Sequence, residues 1–142
     1  MNDTTKNQIL KLIHQEVIPA IGCTEPIAVA LAAAKAAELL GTKPEKIDVY
    51  LSANILKNAM GVGIPGTGMV GLPIAIALGV LIGKSSYELE VLKDVTPEAL
   101  EAGKQLIHDQ VIHIALKENV DKLYIEVVCQ AGDSKSVAVI AR

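Results

Sequence analysis

The sequence predicts an α+β domain: a small, mainly antiparallel sheet packed against alanine-rich and glycine-interrupted helices. Three observations carry that expectation. An alanine-rich stretch over residues 27–40 and an uncharged apolar run over residues 72–82 have helical length and stop at Gly41 and Gly83. Residues 46–55 and much of the last third alternate apolar with polar side chains, the period of a half-buried strand. Of the 142 residues, 51% are hydrophobic and 20% charged, which excludes intrinsic disorder and suits a single domain over residues 1–142. Phe and Trp are absent and only Tyr50, Tyr87 and Tyr124 carry rings, so small and branched aliphatics must fill the core.

Taken in order, residues 2–17 read as a first helix, with Asp3 or Thr4 as its cap and Ile9, Leu12, Ile13 and Val17 on one face, closed by Pro19. A tight connection, Ile21-Gly22-Cys23-Thr24-Glu25-Pro26, then feeds the alanine-rich helix. In the strand over 46–55, Ile47, Val49, Leu51 and Ala53 alternate with Asp48, Tyr50, Ser52 and Asn54. A glycine-rich loop precedes the helix over 72–82, and a weaker segment follows over 86–91. Thr96-Pro97-Glu98 supplies a cap, a first-turn proline and an acidic residue at the positive helix end, predicting a helix to about His108. Residues 111–116, 122–130 and 134–141 read as strands, the last two joined as a hairpin through Ala131-Gly132-Asp133.

The net charge of −3, without any basic run, argues against a nucleic-acid partner. Residues 58–83 carry no charge and are long enough to cross a bilayer. Their glycines and prolines divide them into a loop and a segment too short to span, so no membrane partner is expected. Two cysteines make no disulfide framework, and Met1 leads into Asn, Asp and Thr instead of a secretory signal, so a cytoplasmic location is expected. The chain stops at Arg142 directly after a strand, as one piece of a longer polypeptide would.

Cys23 stands just before a helix, where free N–H groups favour a thiolate as nucleophile or metal ligand; a small buried hydrophobe is the other reading. Thr24 and Glu25 beside it are a cap, a general base or a hydrogen-bond partner for a substrate amine. In residues 57–68, Gly61, Gly63, Gly66 and Gly68 make sense where the backbone turns tightly or approaches an anion. A carboxylate cradle and a structural turn both fit. The segment lacks the Gly-Lys-Ser/Thr ending of a P-loop and the arrangement of a dinucleotide fold. Lys57 is a partner for a carboxylate, a proton carrier or a solvated side chain. His14, His108 and His113 form no motif, and Cys129 is expected to be packed, not paired with Cys23. Two cysteines alone do not make an ordinary cysteine-held iron–sulfur cluster.

Three ordered motifs resemble the L-cysteine desulfidase family, which is distantly similar to the alpha chains of iron–sulfur L-serine dehydratases. They are Gly22-Cys23-Thr24-Glu25-Pro26 with its alanine-rich continuation, the run from Asn54-Ile55-Leu56-Lys57-Asn58 to Gly66-Thr67-Gly68, and Leu92-Lys93-Asp94-Val95-Thr96-Pro97. The resemblance covers nearly the whole chain but only the amino-terminal part of a typical member. It implies a lyase that eliminates sulfide or water from L-cysteine or L-serine to give pyruvate and ammonia, using a [4Fe-4S] cluster with one iron open to substrate as a Lewis acid. Cys23 would be the cluster ligand, with the remaining ligands outside this chain. Residues 57–68 would help form the substrate pocket; within that frame Glu25 and Lys57 are the catalytic candidates read from the residues, and Thr24, Asn58, Gly61, Gly63, Gly66, Thr67 and Gly68 the substrate-binding candidates. The implied partners are a small amino-acid substrate and a missing C-terminal domain or companion chain; homo-oligomer formation stays open. The fragment alone is expected to be inactive, and an exposed apolar face would mark where the missing part packs. Two alternatives are a non-catalytic domain serving small-ligand binding or assembly, and an amidohydrolase-like enzyme using Cys23 covalently.

Overall fold

The computed structural model describes residues 13–19, 27–59, 63–64, 69–84, 86, 91–92, 94–120 and 123–141. The elements run β1 (Ile13–Pro19), α1 (Ile27–Leu40), β2 (Lys46–Leu51), α2 (Ala53–Ala59), β3 (Gly63–Ile64), β4 (Met69–Val70), α3 (Leu72–Ile82), α4 (Pro97–His108), β5 (Ile112–Leu116), β6 (Tyr124–Ala131) and β7 (Ser134–Ala141). This is the expected α+β class. The main sheet has the order β1-β7-β6-β2-β5, while β3 and β4 form a separate two-stranded antiparallel pair. In the main sheet, β6 lies antiparallel to both β2 and β7, and the flanking strands β1 and β5 add parallel to β7 and β2.

Register builds the core. Ile47, Val49 and Leu51 lie opposite Cys129, Val127 and Ile125, which in turn face Ser136, Ala138 and Ile140. All nine are buried, as alternation on a one-sided sheet requires. Against this face lies α1, whose Ala28 to Ala34 residues are all buried. The first half of α1 is apolar on every side and must be covered on every side, and α3 supplies the second wall. The approach is close enough that a Cβ at Gly79 would fall on the Ala30 carbonyl, 3.1 Å from its carbon atom. Alanine and glycine at this crossing replace the large rings that the composition lacks. By contrast α4 is amphipathic, burying only Ala99, Gly103 and Leu106. Its start is capped as expected, the Thr96 Oγ1 accepting from the Ala99 N–H at 3.1 Å.

The boundaries of α1, α3, α4 and β7 follow the sequence reading, and Gly41 closes α1 at φ 77. Gly132 turns the β6–β7 hairpin at φ 56. Two expectations are corrected. Residues 13–17, read as the end of a first helix, belong to strand β1, each paired in parallel with β7; the remainder of that predicted helix lies outside the described residues. A short apolar run satisfies both periods, and the edge offered by β7 decides between them. The strand predicted over 46–55 ends at Leu51 because the buried Ser52 starts α2: its Oγ accepts from the Ile55 N–H at 3.4 Å and its carbonyl from the Leu56 N–H at 3.0 Å. Most of the weak segment over 86–91 lies outside the described residues. No helix among them is long and apolar enough to cross a membrane.

Candidate functional site

Because β6 runs against both β2 and β7, the strands β1, β7, β2 and β5 share one direction. Their carboxyl ends at Pro19, Ala141, Leu51 and Leu116 therefore lie along one edge of the sheet. Ligand sites of open sheets favour such edges, because connections leaving parallel strands open a crevice there. The segment containing Cys23 connects the end of β1 to the start of α1. Along the same edge, β2 passes through Ser52 into α2 and then toward the glycine-rich segment.

A groove of about 580 Å³ opens at this edge, lined by Ser52, Ala53, Asn54 and Lys57 from the β2–α2 corner and by Leu116 at the end of β5 with Lys117, Glu118, Asn119 and Val120 after it. Parallel pairing of Leu51 with Leu116 brings the two walls together. The Lys117 N–H donates to the Leu51 carbonyl at 2.8 Å, and the Ser52 N–H to that of Tyr124 at 3.0 Å. Lys57 is exposed in the last turn of α2, on one wall. Lys117 stands on the other, its Nζ 5.9 Å from the centroid of the Tyr50 ring. Asn119 turns the chain at φ 61, a left-handed conformation that Asn tolerates better than most residues. Two ammonium groups and the amides of Asn54 and Asn119 suit a small anionic or carboxylate group, while the Glu118 carboxylate on the same wall suits an amine.

Of the residues singled out in the sequence, the structure places Lys57 on the groove, Asn58 in α2 and Gly63 in β3, paired with Val70. Cys23, Thr24, Glu25, Gly61, Gly66, Thr67 and Gly68 lie outside the described residues. Lys117 and Asn119 were missed, since Lys-Glu-Asn after a strand reads as an ordinary turn. The only signal was Asn119 itself, a residue suited to positive φ.

Cys129 is packed, as expected: a free thiol, fully buried on β6 opposite Ser136. Burial pushes its pKa up to about 12, against the lowering effect of a hydrogen bond with Ser136. The Ser136 Oγ also donates to the Ala36 carbonyl at 2.6 Å, tying β7 to α1. Cys129 is thus a protonated core residue. Tyr124 is likewise pushed up to about 12, first by burial and then by its hydrogen bond to Glu126 Oε1, at 2.7 Å. His14 lies in β1, not in a helix, His108 ends α4, and His113 is exposed on β5. Among the described residues no group of three or more His, Cys, Asp or Glu side chains is placed to hold a metal ion.

Fold and groove together define an α+β architecture whose mixed sheet buries one face against helices and opens a groove, flanked by Lys57 and Lys117, at the carboxyl ends of its parallel strands. No family model matches the chain, and no solved structure does. Curated sequences do: a UPF0597 protein of Parabacteroides distasonis is 72% identical over 140 residues, covering 99% of this chain and 33% of the relative. A UPF0597 protein of Bacteroides thetaiotaomicron is 69% identical over 142 residues, with the same coverage of 99% and 33%. One of Chromobacterium violaceum is 49% identical over 134 residues, 94% of this chain and 31% of the relative. Over nearly its whole length the chain is similar to UPF0597 proteins, and it spans about a third of the length of these relatives.

Proposed function

We propose that this chain is the amino-terminal part of an iron–sulfur-dependent lyase, cytoplasmic, that eliminates sulfide or water from L-cysteine or L-serine to give pyruvate and ammonia. The supporting observation is the shared direction of β1 and β2: β1, which precedes the Cys23 segment in the chain, ends at Pro19 on the side of the sheet where Ser52, α2 and Lys57 stand. A coverage of about a third of the relatives agrees with a site whose other residues lie elsewhere in a longer protein.

The described residues do not fit a complete cluster site. They hold no cluster of three or more His, Cys, Asp or Glu side chains placed to bind a metal ion, and their one cysteine, Cys129, is buried with its thiol protonated. We therefore assign only Cys23 as a ligand in this chain and draw no step through the cluster. In the proposed elimination a base removes the proton from the substrate α-carbon, and the electron pair left behind forms the α,β double bond as sulfide or hydroxide departs. The resulting enamine takes up water to release ammonia and pyruvate. Within this scheme Lys57 neutralises the substrate carboxylate, Glu25 accepts the proton, and Thr24, Asn58, Thr67 and the glycine backbone orient the amino acid.

The test is anaerobic reconstitution of a full-length protein with iron and sulfide, followed by assay of pyruvate from L-cysteine and L-serine. Activity that disappears in Cys23→Ala supports the reading. Substantial turnover by the 142-residue chain alone would overturn the claim that ligands are missing, and a substrate-derived adduct on Cys23 without iron would favour covalent catalysis.

A further inference from the structure

The sheet ends on one side at β5, and no strand among the described residues pairs with its outer edge. The phase of the β2–β5 ladder decides which amides are free. The Ile47 N–H donates to the Val111 carbonyl at 2.9 Å and the Lys117 N–H to the Leu51 carbonyl at 2.8 Å. Residues 111, 113, 115 and 117 thus turn their backbone groups toward β2, while Ile112, Ile114 and Leu116 turn N–H and C=O outward. Natural edge strands are blunted by proline, lysine or a bulge. The sequence Ile112-His113-Ile114-Ala115-Leu116 contains no proline or lysine, and its register with β2 is unbroken. At its end stands Leu116, a large hydrophobic left 47% exposed, beside Val120 on the groove wall.

We infer that this edge seats an extended segment from the two thirds of the full-length protein that the chain does not span, added as a strand beyond β5. The inference rests on the reading of the chain as part of a longer protein, and not on the reaction that protein performs. Occupancy by a second copy is disfavoured by size. Five residues of strand extend only about 17 Å, and with one exposed leucine they offer far less than the ~1,200 Å² of a stable interface between separate chains. A tethered segment needs no such area, because covalent linkage raises its effective concentration to the millimolar range. Such a strand would carry the remainder of the protein to the wall of the groove that Lys57 and Lys117 flank.

Amide hydrogen exchange in the full-length protein, resolved to single residues, tests this with an internal reference. The amides of residues 113 and 115, bonded to β2, set the standard. Strand addition predicts that the amides of Ile112, Ile114 and Leu116 are protected to within about tenfold of that standard, at protein concentrations where the molecule is monomeric. An alternating pattern, with those three exchanging more than about tenfold faster, would overturn the inference. Protection lost on dilution would also overturn it, by assigning the edge to a second copy. Because exchange is read without substrate or cluster, loss of lyase activity leaves this result intact, and the two proposals fail separately.

Discussion

Gly79 and Gly103 are both helical glycines, and intrinsic propensity says that alanine at either position stabilises by about 1 kcal/mol. Their surroundings predict opposite signs. At Gly79 the added methyl meets the Ala30 backbone, with carbonyl carbon and Cα both at 3.1 Å and the oxygen nearer still. Backbone in a buried helix does not step aside, so α1 and α3 must separate along a crossing filled with small side chains. Overpacking of this kind costs typically 1–3 kcal/mol, and contact with backbone puts Gly79→Ala toward the upper end. Subtracting the propensity gain leaves a net loss of roughly 1–2 kcal/mol, or about 3–8 °C in Tm for a chain of this size. At Gly103 the nearest atom is the terminal Ile74 Cδ1 at 3.1 Å, followed by Ala77 Cβ at 3.5 Å and Leu78 Cδ2 at 3.6 Å. A terminal methyl shifts by a few tenths of an ångström at little cost, so Gly103→Ala is expected to be neutral or to raise Tm by a few degrees. Thermal unfolding of the two variants by circular dichroism reads the contrast. If Gly79→Ala were as stable as Gly103→Ala, the close approach of α1 to α3 would be wrong and with it the account of the alanine-rich core.

Cys129 makes stability fall at high pH: its folded pKa of about 12 exceeds the ordinary 9.0, so its contribution is complete below pH 9 and is lost between 9 and 12. Denaturant melts should show up to ~1.4 kcal/mol lost per pH unit from this group, and Cys129→Ala should flatten the slope between pH 9 and 10, where Tyr124 does not yet contribute. Replacing Ser136 with Ala removes the donor to the Ala36 carbonyl and should cost about 1 kcal/mol in the same melts. Thr96→Ala removes the cap of α4 and should cost about 1 kcal/mol, while Thr96→Asn should retain most of the stability. Lys57→Ala, at an exposed position, should leave Tm within about 1 °C and, in the lyase proposed for the full-length protein, raise KM for the amino acid; an unchanged KM would remove Lys57 from the carboxylate site.

Much of the architecture is legible in the amino-acid order because local chemistry and packing agree there. Ala-rich residues closed by Gly41, the Thr96-Pro97 start of α4 and the turn at Gly132 each have a conformational reason that needs no distant partner. The candidate site was legible in one half only. Lys57 stood out beside the glycine-rich segment, whereas Lys117 and Asn119 reach the same groove through the pairing of Leu51 with Leu116, which no local pattern announces.

By itself the sequence determined the fold class, the helices α1, α3 and α4, the terminal hairpin and the need for a core without large rings. Tertiary structure decided the rest: that residues 13–19 are a strand, that β2 stops at Ser52, and that β1 and β5 join the sheet in parallel. The physical reason is that a short apolar segment carries no preference strong enough to choose its own state. The edge that accepts its hydrogen bonds makes the choice, and with it the shared strand direction that brings the carboxyl ends of β1, β7, β2 and β5 to one side of the sheet.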